Sequence, residues 1–250
     1  MSAYDALAAL RARHPWLAES LGAHELKVFS QNGEDGVIAE LFTRVGTTSR
    51  YFVEFGVEDG REGNAVLLAD VAGWAGLFME SDPERYARLH SKYAGVPHVV
   101  TRQAVVTPDT VEALFDEAGV PAEPDLLSVD VDGQDYWIWA AVRRPFRVVV
   151  VEYNSALPPG ARLVEPLGHP GWTGTDGFGA GLDALVSLGR RKGYTLVHLD
   201  LAGVNAFFVR DDLATAALRD GRVVQRVPNY GLTGAVHPPS PTPFPYVEVD

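Results

Sequence analysis

Short apolar runs alternate with segments of helical periodicity, and this alternation constrains the fold more than any other feature. The predicted strands are Tyr51–Phe55, Gly76–Glu80, Val99–Val105, Leu126–Val131 and Val148–Tyr153. The last of them, VVVVEY, is apolar at consecutive positions, which is typical of a parallel strand buried on both faces. The intervening segments that show helical periodicity are Asn64–Ala72, Pro83–Tyr93, Pro108–Ala118 and Gln134–Val142. The pattern predicts a doubly wound α/β fold.

The last third of the chain departs from this alternation. After a predicted helix over Gly181–Lys192, the strands Tyr194–Leu201 and Asn205–Arg210 are separated by only Ala-Gly-Val. Because so short a connection requires antiparallel pairing, the sheet is expected to end in a hairpin and to contain seven strands.

The remaining segments suggest one domain over residues 1–250. Predicted helices at Tyr4–Arg13 and Asp35–Val45 make residues 1–46 an N-terminal helical extension.

A Gly- and Pro-rich stretch within residues 155–180, from Leu157 to Gly179, has no period and is interpreted as a functional loop or lid. The tail over residues 233–250 contains five prolines and is expected to be extended. We expect the tail either to pack over the body of the domain or to reach a partner subunit. Contact with a partner subunit would mean that the protein is a homo-oligomer.

Composition excludes several classes of function. The chain has no cysteine, which rules out disulfides, thiolate metal sites and cysteine nucleophiles. Its net charge is -12 with no basic patch, so nucleic acid is not an expected partner. No apolar stretch suits a membrane span, and no signal peptide is recognised at the N-terminus, so the expected location is the cytoplasm.

The stretch YFVEFGVEDGREGN begins with the first predicted strand and continues into the loop after it. The glycines and acids of this loop are typical of a ligand-binding turn. Glycines let the backbone approach a ligand, and the next helix N-terminus offers free N–H groups. The acids Glu58 and Asp59 would repel a pyrophosphate, which argues against NAD(P), but they suit the sulfonium and amine of S-adenosylmethionine. An ordinary strand-to-helix turn is the alternative. The cofactor-binding candidates of this stretch are Glu54, Gly56, Gly60 and Asn64.

The next two predicted strands end in further cofactor-binding candidates. An acid at Glu80 is placed to accept hydrogen bonds from two ribose hydroxyls, with Ser81 beside it. The alternative is that Glu80 caps the next helix, but Ser81 and Asp82 already fill that role. The third predicted strand ends in RQAVV, and its Gln103 and Ala104 lie where an adenine ring would be held.

Three short motifs carry a family resemblance. They are S-Q-N-G-E-D-G at Ser30–Gly36, S-V-D-V-D-G-Q-D-Y at Ser128–Tyr136 and G-x-N-x-F-F-V at Gly203–Val209. In this order they resemble the FkbM-like class I S-adenosylmethionine-dependent methyltransferases, over roughly Val28 to Leu213. The resemblance implies a Rossmann-like methyltransferase fold and O-methylation, often of a sugar or another natural product, but the acceptor does not carry over.

The resemblance also implies that the first motif, Ser30–Gly36, lines the cofactor site. Gln31 would hold the carboxylate of the cofactor. The alternative is that Ser30 or Asn32 caps the helix that follows, and the two roles are compatible. Glu58 occupies a position that is often glycine in this family, a departure that affects the details of cofactor contact.

A second cluster of polar residues follows the fourth and fifth strands. Because ligands of open α/β sheets bind beyond the carboxyl ends of the strands, Asp130 and Asp132 should face Glu152 and Asn154. Asp130, Glu152 and Asn154 resemble the magnesium ligands of catechol-type methyltransferases, and such oxygen ligands suit Mg²⁺. In one alternative, Asp132 and Asp135 cap the next helix and Asp130 only contacts the cofactor. In another, Asp130 or Asp132 is a direct base without metal.

Other candidates concern the acceptor. His169, in the predicted lid, is a candidate general base, although a loop histidine is also commonly just solvated. Four aromatic residues are candidates for the acceptor wall, with core or lid packing as the alternative; these are Tyr153, Trp172, Phe178 and Tyr230.

The predicted function is therefore transfer of a methyl group from S-adenosylmethionine to a small-molecule hydroxyl. The alternative is a non-catalytic or different nucleotide-binding protein on the same fold. Acids present at the ends of four strands favour the enzyme.

Overall fold

The computed structural model describes residues 20–219, 223 and 225–250. The predicted helix Tyr4–Arg13 lies outside these residues. The strands are β1 Tyr51–Phe55, β2 Ala75–Glu80, β3 Val99–Gln103, β4 Leu126–Val129, β5 Val148–Glu152, β6 Leu163–Val164, β7 Tyr194–Leu199, β8 Asn205–Arg210 and β9 Val247–Glu248. The helices are α1 Glu34–Val45, α2 Val66–Asp70, α3 Pro83–Tyr93, α4 Val111–Glu117, α5 Asp135–Ala141, α6 Leu182–Lys192 and α7 Ala216–Arg219, with a 3-10 turn at Leu21–His24.

Seven of the strands form one sheet in the order β3-β2-β1-β4-β5-β8-β7. Neighbours among β1 to β5 pair in parallel, whereas β8 is antiparallel to both β5 and β7. This order confirms the predicted Rossmann-like sheet with a C-terminal antiparallel hairpin. No helix among the described residues is long and apolar enough to cross a membrane.

Helices cover both faces of the sheet, as the continuous apolar strands predict. Helices α1 to α3 pack on the face that carries Phe52 and Phe78, and α4 to α6 pack on the face that carries Val53 and Phe55. Because successive strand residues point to opposite faces, Glu54 lies on the side of α1 and α2.

Helix boundaries agree best with prediction where a local signal exists. Helix α3 spans the predicted residues because Pro83 begins it and Asp82 caps it, accepting from the N–H groups of Glu84 at 2.9 Å and Arg85 at 2.8 Å. Strands β3, β4 and β5 end one or two residues before their predicted ends.

The hairpin connection is longer than predicted because β7 ends at Leu199. One carboxylate oxygen of Asp200 accepts from the N–H groups of Val204 and Asn205, at 2.8 and 3.0 Å, and this closes the turn.

The predicted lid and the C-terminal tail pack on each other. Strand β6 of the lid pairs with β9 of the tail in antiparallel fashion. The Tyr246 hydroxyl lies 3.1 Å from Asn154 Nδ2, and the Val249 N–H donates to the Arg162 carbonyl at 2.9 Å. These contacts place the tail against the lid of its own chain.

Candidate functional site

Two cavities open at the carboxyl edge of the sheet and share Asp130. The larger, of about 620 Å³, runs between the loops after β2, β3 and β4 and the lid. We call it the large cleft; its lining includes Gly56, Glu80, Ser81, Ala104, Asp132 and His169. The smaller, of about 100 Å³, is called the acidic pocket; its lining includes Gln31, Glu54, Glu58, Asn64, Asp130 and Asn205. Of the predicted adenine-binding pair, Ala104 lines the large cleft, whereas Gln103 is exposed and lies outside the lining of both cavities in the described chain.

The loop after β1 is shaped by close backbone approach. Gly56 has a φ of 73°, and a Cβ there would lie 1.8 Å from the Asp130 carbonyl oxygen, so the loops after β1 and β4 touch only because this residue is glycine. At Gly60, a Cβ would meet the Leu89 side chain at 2.7 Å, which places this glycine against α3. Glu58 is in the left-handed region, with a φ of 54°.

Glu54 is buried and closes this loop. Its carboxylate accepts from the N–H groups of Asn64 at 2.7 Å and Ala65 at 2.9 Å. Asn64 in turn donates from Nδ2 to the Ser128 hydroxyl at 3.0 Å. Burial raises the pKa of Glu54 to about 7, against the partial compensation of these backbone donors. The residue therefore both shapes the loop and lines the acidic pocket.

Glu80 lies at the end of β2 with its carboxylate in the large cleft. Its two oxygens accept from the N–H groups of Glu58 at 2.9 Å and Asp82 at 2.8 Å. The side chain of Asp82, and not that of Glu80, caps α3. The Ser81 hydroxyl also lies 3.5 Å from Oε1. Because a carboxylate oxygen accepts about two hydrogen bonds, Oε2, with the Glu58 N–H as its one donor among the described residues, retains acceptor capacity.

Three carboxylates converge beyond β4 and β5. One oxygen from each of Asp130, Asp132 and Glu152 lies within 4.8 Å of the others. Burial raises the pKa of Asp130 and that of Glu152 well above the ordinary values, and the neighbouring carboxylates raise them further. Glu152 Oε2 is buried without a hydrogen-bond partner among the described residues. The three carboxylates therefore oppose one another's ionisation, and a cation bound among them would favour their charged forms.

Asp135 has a different role from these three acids. Its carboxylate accepts from the N–H groups of Val131 at 2.8 Å and Gly133 at 2.9 Å, at the start of α5. The predicted alternative of a helix-terminal acid therefore describes Asp135, whereas Asp132 joins the three-carboxylate cluster.

Asn154, predicted as a metal ligand, is turned toward the lid. Its Nδ2 donates to the carbonyls of Asp176 at 2.8 Å and Phe178 at 3.1 Å, and its Oδ1 accepts from the Ala156 N–H at 2.9 Å. The structure brings Asp132, in place of Asn154, beside Asp130 and Glu152. The physical reason is that the chain turns at Asn154 into the lid, whose backbone needs the amide.

His169 lines the large cleft but is held within the lid. Its Nδ1 lies 2.9 Å from Oε1 of the buried Glu165, whose other oxygen accepts from the Gly179 N–H at 3.0 Å. The imidazole ring packs 4.9 Å from Phe244 of the tail. The predicted base thus has a carboxylate partner that orients it.

An aromatic cluster forms around His237, which sequence reasoning did not single out. The ring centroids of Trp172, Phe178 and Tyr230 lie 4.7, 5.7 and 4.3 Å from that of His237. Burial lowers the pKa of His237, while the charges of Asp132 and Asp176 act in the opposite direction. Tyr153, by contrast, is buried in the core.

The loop before α1 positions Gln31. Oδ2 of the buried Asp35 accepts from the N–H groups of Val28, Phe29 and Ser30, at 2.8, 2.7 and 2.7 Å. The Ser30 hydroxyl lies 2.8 Å from the same oxygen. Gln31 then lies at the rim of the acidic pocket.

Comparison with known proteins gives matches only among solved structures. No protein-family model matches the chain, and no curated protein matches it. The chain is similar to the N-terminal domain of EvdMO1 with SAH bound, at 14% identity and a TM-score of 0.46 over 84% of this chain and 95% of that one. It is also similar to precorrin-6y C5,15-methyltransferase from Geobacter metallireducens GS-15, at 14% identity and a TM-score of 0.42 over 74% and 91%.

A third similar structure is the METTL16 MTase domain, at 13% identity and a TM-score of 0.44 over 70% of this chain and 64% of that one.

Proposed function

We propose that the protein is an S-adenosylmethionine-dependent methyltransferase that acts on a hydroxyl group of a small molecule. The observation that carries the proposal is the pair of adjoining cavities that share Asp130. One presents the free acceptor capacity of Glu80, and the other is lined mainly by carboxylates and amides. A nucleoside joined through a cationic centre to an amino acid matches both cavities at once.

The cofactor would span the two cavities in one orientation. Glu80 would accept hydrogen bonds from the ribose hydroxyls, since Oε2 keeps a free lone pair and the weak 3.5 Å contact of the Ser81 hydroxyl with Oε1 can be replaced. Ala104 and its loop would contact the adenine. The amino-acid end would enter the acidic pocket, with Gln31 near its carboxylate.

The charge of the site supports a cationic ligand over an anionic one. Burial raises the pKa of both Glu54 and Asp130, so a positive centre nearby would stabilise their ionised forms. A pyrophosphate would instead meet Glu58 and Asp130 at close range. The same residues therefore disfavour NAD(P) as the ligand.

When bound, the cofactor supplies an electrophilic methyl group, and the reaction is a direct displacement at that carbon. The task of this chain is to align the acceptor oxygen, to exclude water and to receive the hydroxyl proton. Asp130 and Asp132 are the candidate proton acceptors, because Asp130 lies where the two cavities meet and Asp132 lines the large cleft within 4.8 Å of it. The lid and the tail, which carry His169 and His237, would cover the acceptor.

A divalent cation fits the three-carboxylate cluster. The donor set is all oxygen, as Mg²⁺ prefers, and Glu152 Oε2 is a buried acceptor without a partner among the described residues. Asp130, Asp132 and Glu152 would hold the ion, which would supply a lowered pKa of the acceptor hydroxyl.

The aromatic cluster around His237 supports a ring-shaped acceptor. Trp172 and Tyr230 pack against His237, with ring centroids 4.7 and 4.3 Å from it. The charge of Asp132 opposes the lowering of the His237 pKa by burial, and the charge of Glu152 adds to the burial that raises the pKa of Tyr230. Aromatic faces beside carboxylates suit a hydroxylated ring, such as a sugar or a related natural product.

The test is calorimetric titration of S-adenosylmethionine and S-adenosylhomocysteine into the wild type, Glu80→Ala and Glu84→Ala. Glu84 is exposed on the first turn of α3 and is a matched control. Micromolar binding is expected, weakened about tenfold or more by Glu80→Ala, which is the loss of a charge-assisted hydrogen-bond pair. Glu84→Ala should bind like the wild type. If neither ligand bound the wild type, the proposal would be wrong, and binding of NAD or ATP instead would support the nucleotide-binding alternative.

A further inference from the structure

Asn205 lines the acidic pocket and has a buried side-chain oxygen without a hydrogen-bond partner among the described residues. It is the first residue of β8 and pairs with Glu152 across the β5–β8 ladder. Its side chain is 2% exposed, and its Oδ1 has no hydrogen-bond partner among the described residues. It nevertheless lines the pocket together with Gln31, Glu54 and Asp130.

The orientation of the Asn205 amide is determined by Glu34. Nδ2 of Asn205 donates to Glu34 Oε1 at 2.9 Å. Glu34 is buried at the start of α1 and also accepts from the N–H and Nδ2 of Asn32, at 2.8 and 3.2 Å. An ionised carboxylate only accepts hydrogen bonds, so the amide must direct its nitrogen to Glu34 and present its oxygen elsewhere.

The backbone of Asn205 is equally constrained. Asp200 Oδ1 accepts from the N–H groups of Val204 at 2.8 Å and Asn205 at 3.0 Å. The side chain therefore starts from a rigid strand end and is held at its far end by Glu34. Such a group is preorganised for a ligand, since little conformational freedom remains to be lost on binding.

The chemistry of the missing partner follows from the lining. A buried acceptor without a donor is unfavourable and is normally satisfied by a ligand or by water. Glu54 and Asp130 lie in the same pocket, so a donor that carries positive charge is favoured over a neutral one. A primary ammonium has three donors and no acceptor, which matches a pocket of oxygen acceptors.

We propose that Asn205 Oδ1 accepts a hydrogen bond from the α-ammonium group of the cofactor, so that the acidic pocket recognises the amino group. This assignment rests on the proposed function and deepens it by giving a specificity role to a residue of β8. Glu34 and Asp200 are positioning residues that act through Asn205.

The experiment compares two ligands that differ only at this end. S-Adenosylhomocysteine carries the amino-acid group, and 5′-methylthioadenosine lacks it but retains the adenine and ribose. Their dissociation constants are measured by calorimetry for the wild type, Asn205→Ala and the double variant Glu34→Gln/Asn205→Asp. Asn205→Ala should weaken S-adenosylhomocysteine about tenfold or more, as expected for one hydrogen bond to a charged group. Binding of 5′-methylthioadenosine should change less than about twofold.

Further variants separate recognition from folding. Asn205→Asp alone would place a second carboxylate about 2.9 Å from Glu34 Oε1, so it is combined with Glu34→Gln, whose amide can donate across the pair. The double variant keeps an oxygen in the pocket and should retain most of the preference for S-adenosylhomocysteine. Glu34→Gln removes the constraint on the amide and should lose part of it. Equal weakening of both ligands by Asn205→Ala, or no weakening of either, would overturn the assignment. If Asn205→Ala does not fold, a loss of the preference in the double variant Glu34→Gln/Asn205→Asp overturns it instead.

The two proposals fail in different ways. A wild type that binds neither ligand contradicts the methyltransferase proposal as a whole. A wild type that binds both ligands, with variants that do not discriminate between them, contradicts only the role of Asn205.

Discussion

Gly56→Ala should destabilise the protein more than its backbone conformation alone explains. The φ of 73° costs an alanine about 1–2 kcal/mol, because the left-handed region crowds the Cβ atom. In addition, the new Cβ would lie 1.8 Å from the Asp130 carbonyl oxygen, and this neighbour is backbone that cannot rotate away. Separating the two loops should cost about 1–3 kcal/mol more, as overpacking does elsewhere.

Gly119 offers a matched control. Its φ is 70°, and nothing lies within 4 Å of a Cβ built there, so Gly119→Ala isolates the backbone contribution. Thermal unfolding should show a drop of about 2–8 °C for Gly119→Ala and about 4–20 °C for Gly56→Ala, at roughly 2–4 °C per kcal/mol for a chain of this size. Gly56→Ala should also weaken S-adenosylhomocysteine, because Asp130 moves.

The reasoning is refuted by equal melting temperatures for the two variants. That result would mean that the contact between the loops after β1 and β4 relaxes at no cost, and that Gly56 serves only its backbone conformation.

Two further predictions concern the acids. The pKa of Glu54 is raised from 4.5 to about 7, so its contribution to the free energy of unfolding is fully present below pH 4.5 and is lost as pH rises through 7. Between pH 5 and 8 the wild type should lose about 2.5 kcal/mol relative to Glu54→Gln in urea unfolding, and parallel pH profiles would contradict this. For the cation, Asp132→Asn should abolish the calorimetric heat of Mg²⁺ binding while the exposed Asp109→Asn retains it; an unchanged heat in Asp132→Asn would exclude Asp132 as a ligand.

The predicted sheet depends on signals that are local in the sequence. Apolar runs predict buried strands because each strand is covered on both faces, and the short connection after β7 leaves antiparallel pairing as the only geometry. Helix α3 was predicted to the residue because proline and a capping aspartate mark its start. The tail and the lid carry no comparable period, so their mutual packing was not predicted beyond a choice of two placements.

The candidate site was only partly accessible to the same reasoning. Strands in parallel end at one edge, so Glu54, Glu80, Asp130 and Glu152 could be expected together from their positions alone. The hydrogen-bond partners of the polar residues at this edge could not be predicted from the sequence. Asn154 was expected to face the acids, and only the folded lid shows that its amide is committed to the carbonyls of Asp176 and Phe178.

The surroundings of His237 and Asn205 likewise depend on contacts between residues that are distant in the sequence. His237 joins the aromatic cluster because the tail folds back over the lid, a contact between segments about 65 residues apart. Asn205 presents an oxygen to the acidic pocket because Glu34, 171 positions away, takes its nitrogen. The sequence by itself determined which chemical groups reach the carboxyl edge of the sheet. The tertiary structure alone decided which of them remain free, because each hydrogen-bonding group is satisfied by whichever partner long-range packing brings to it.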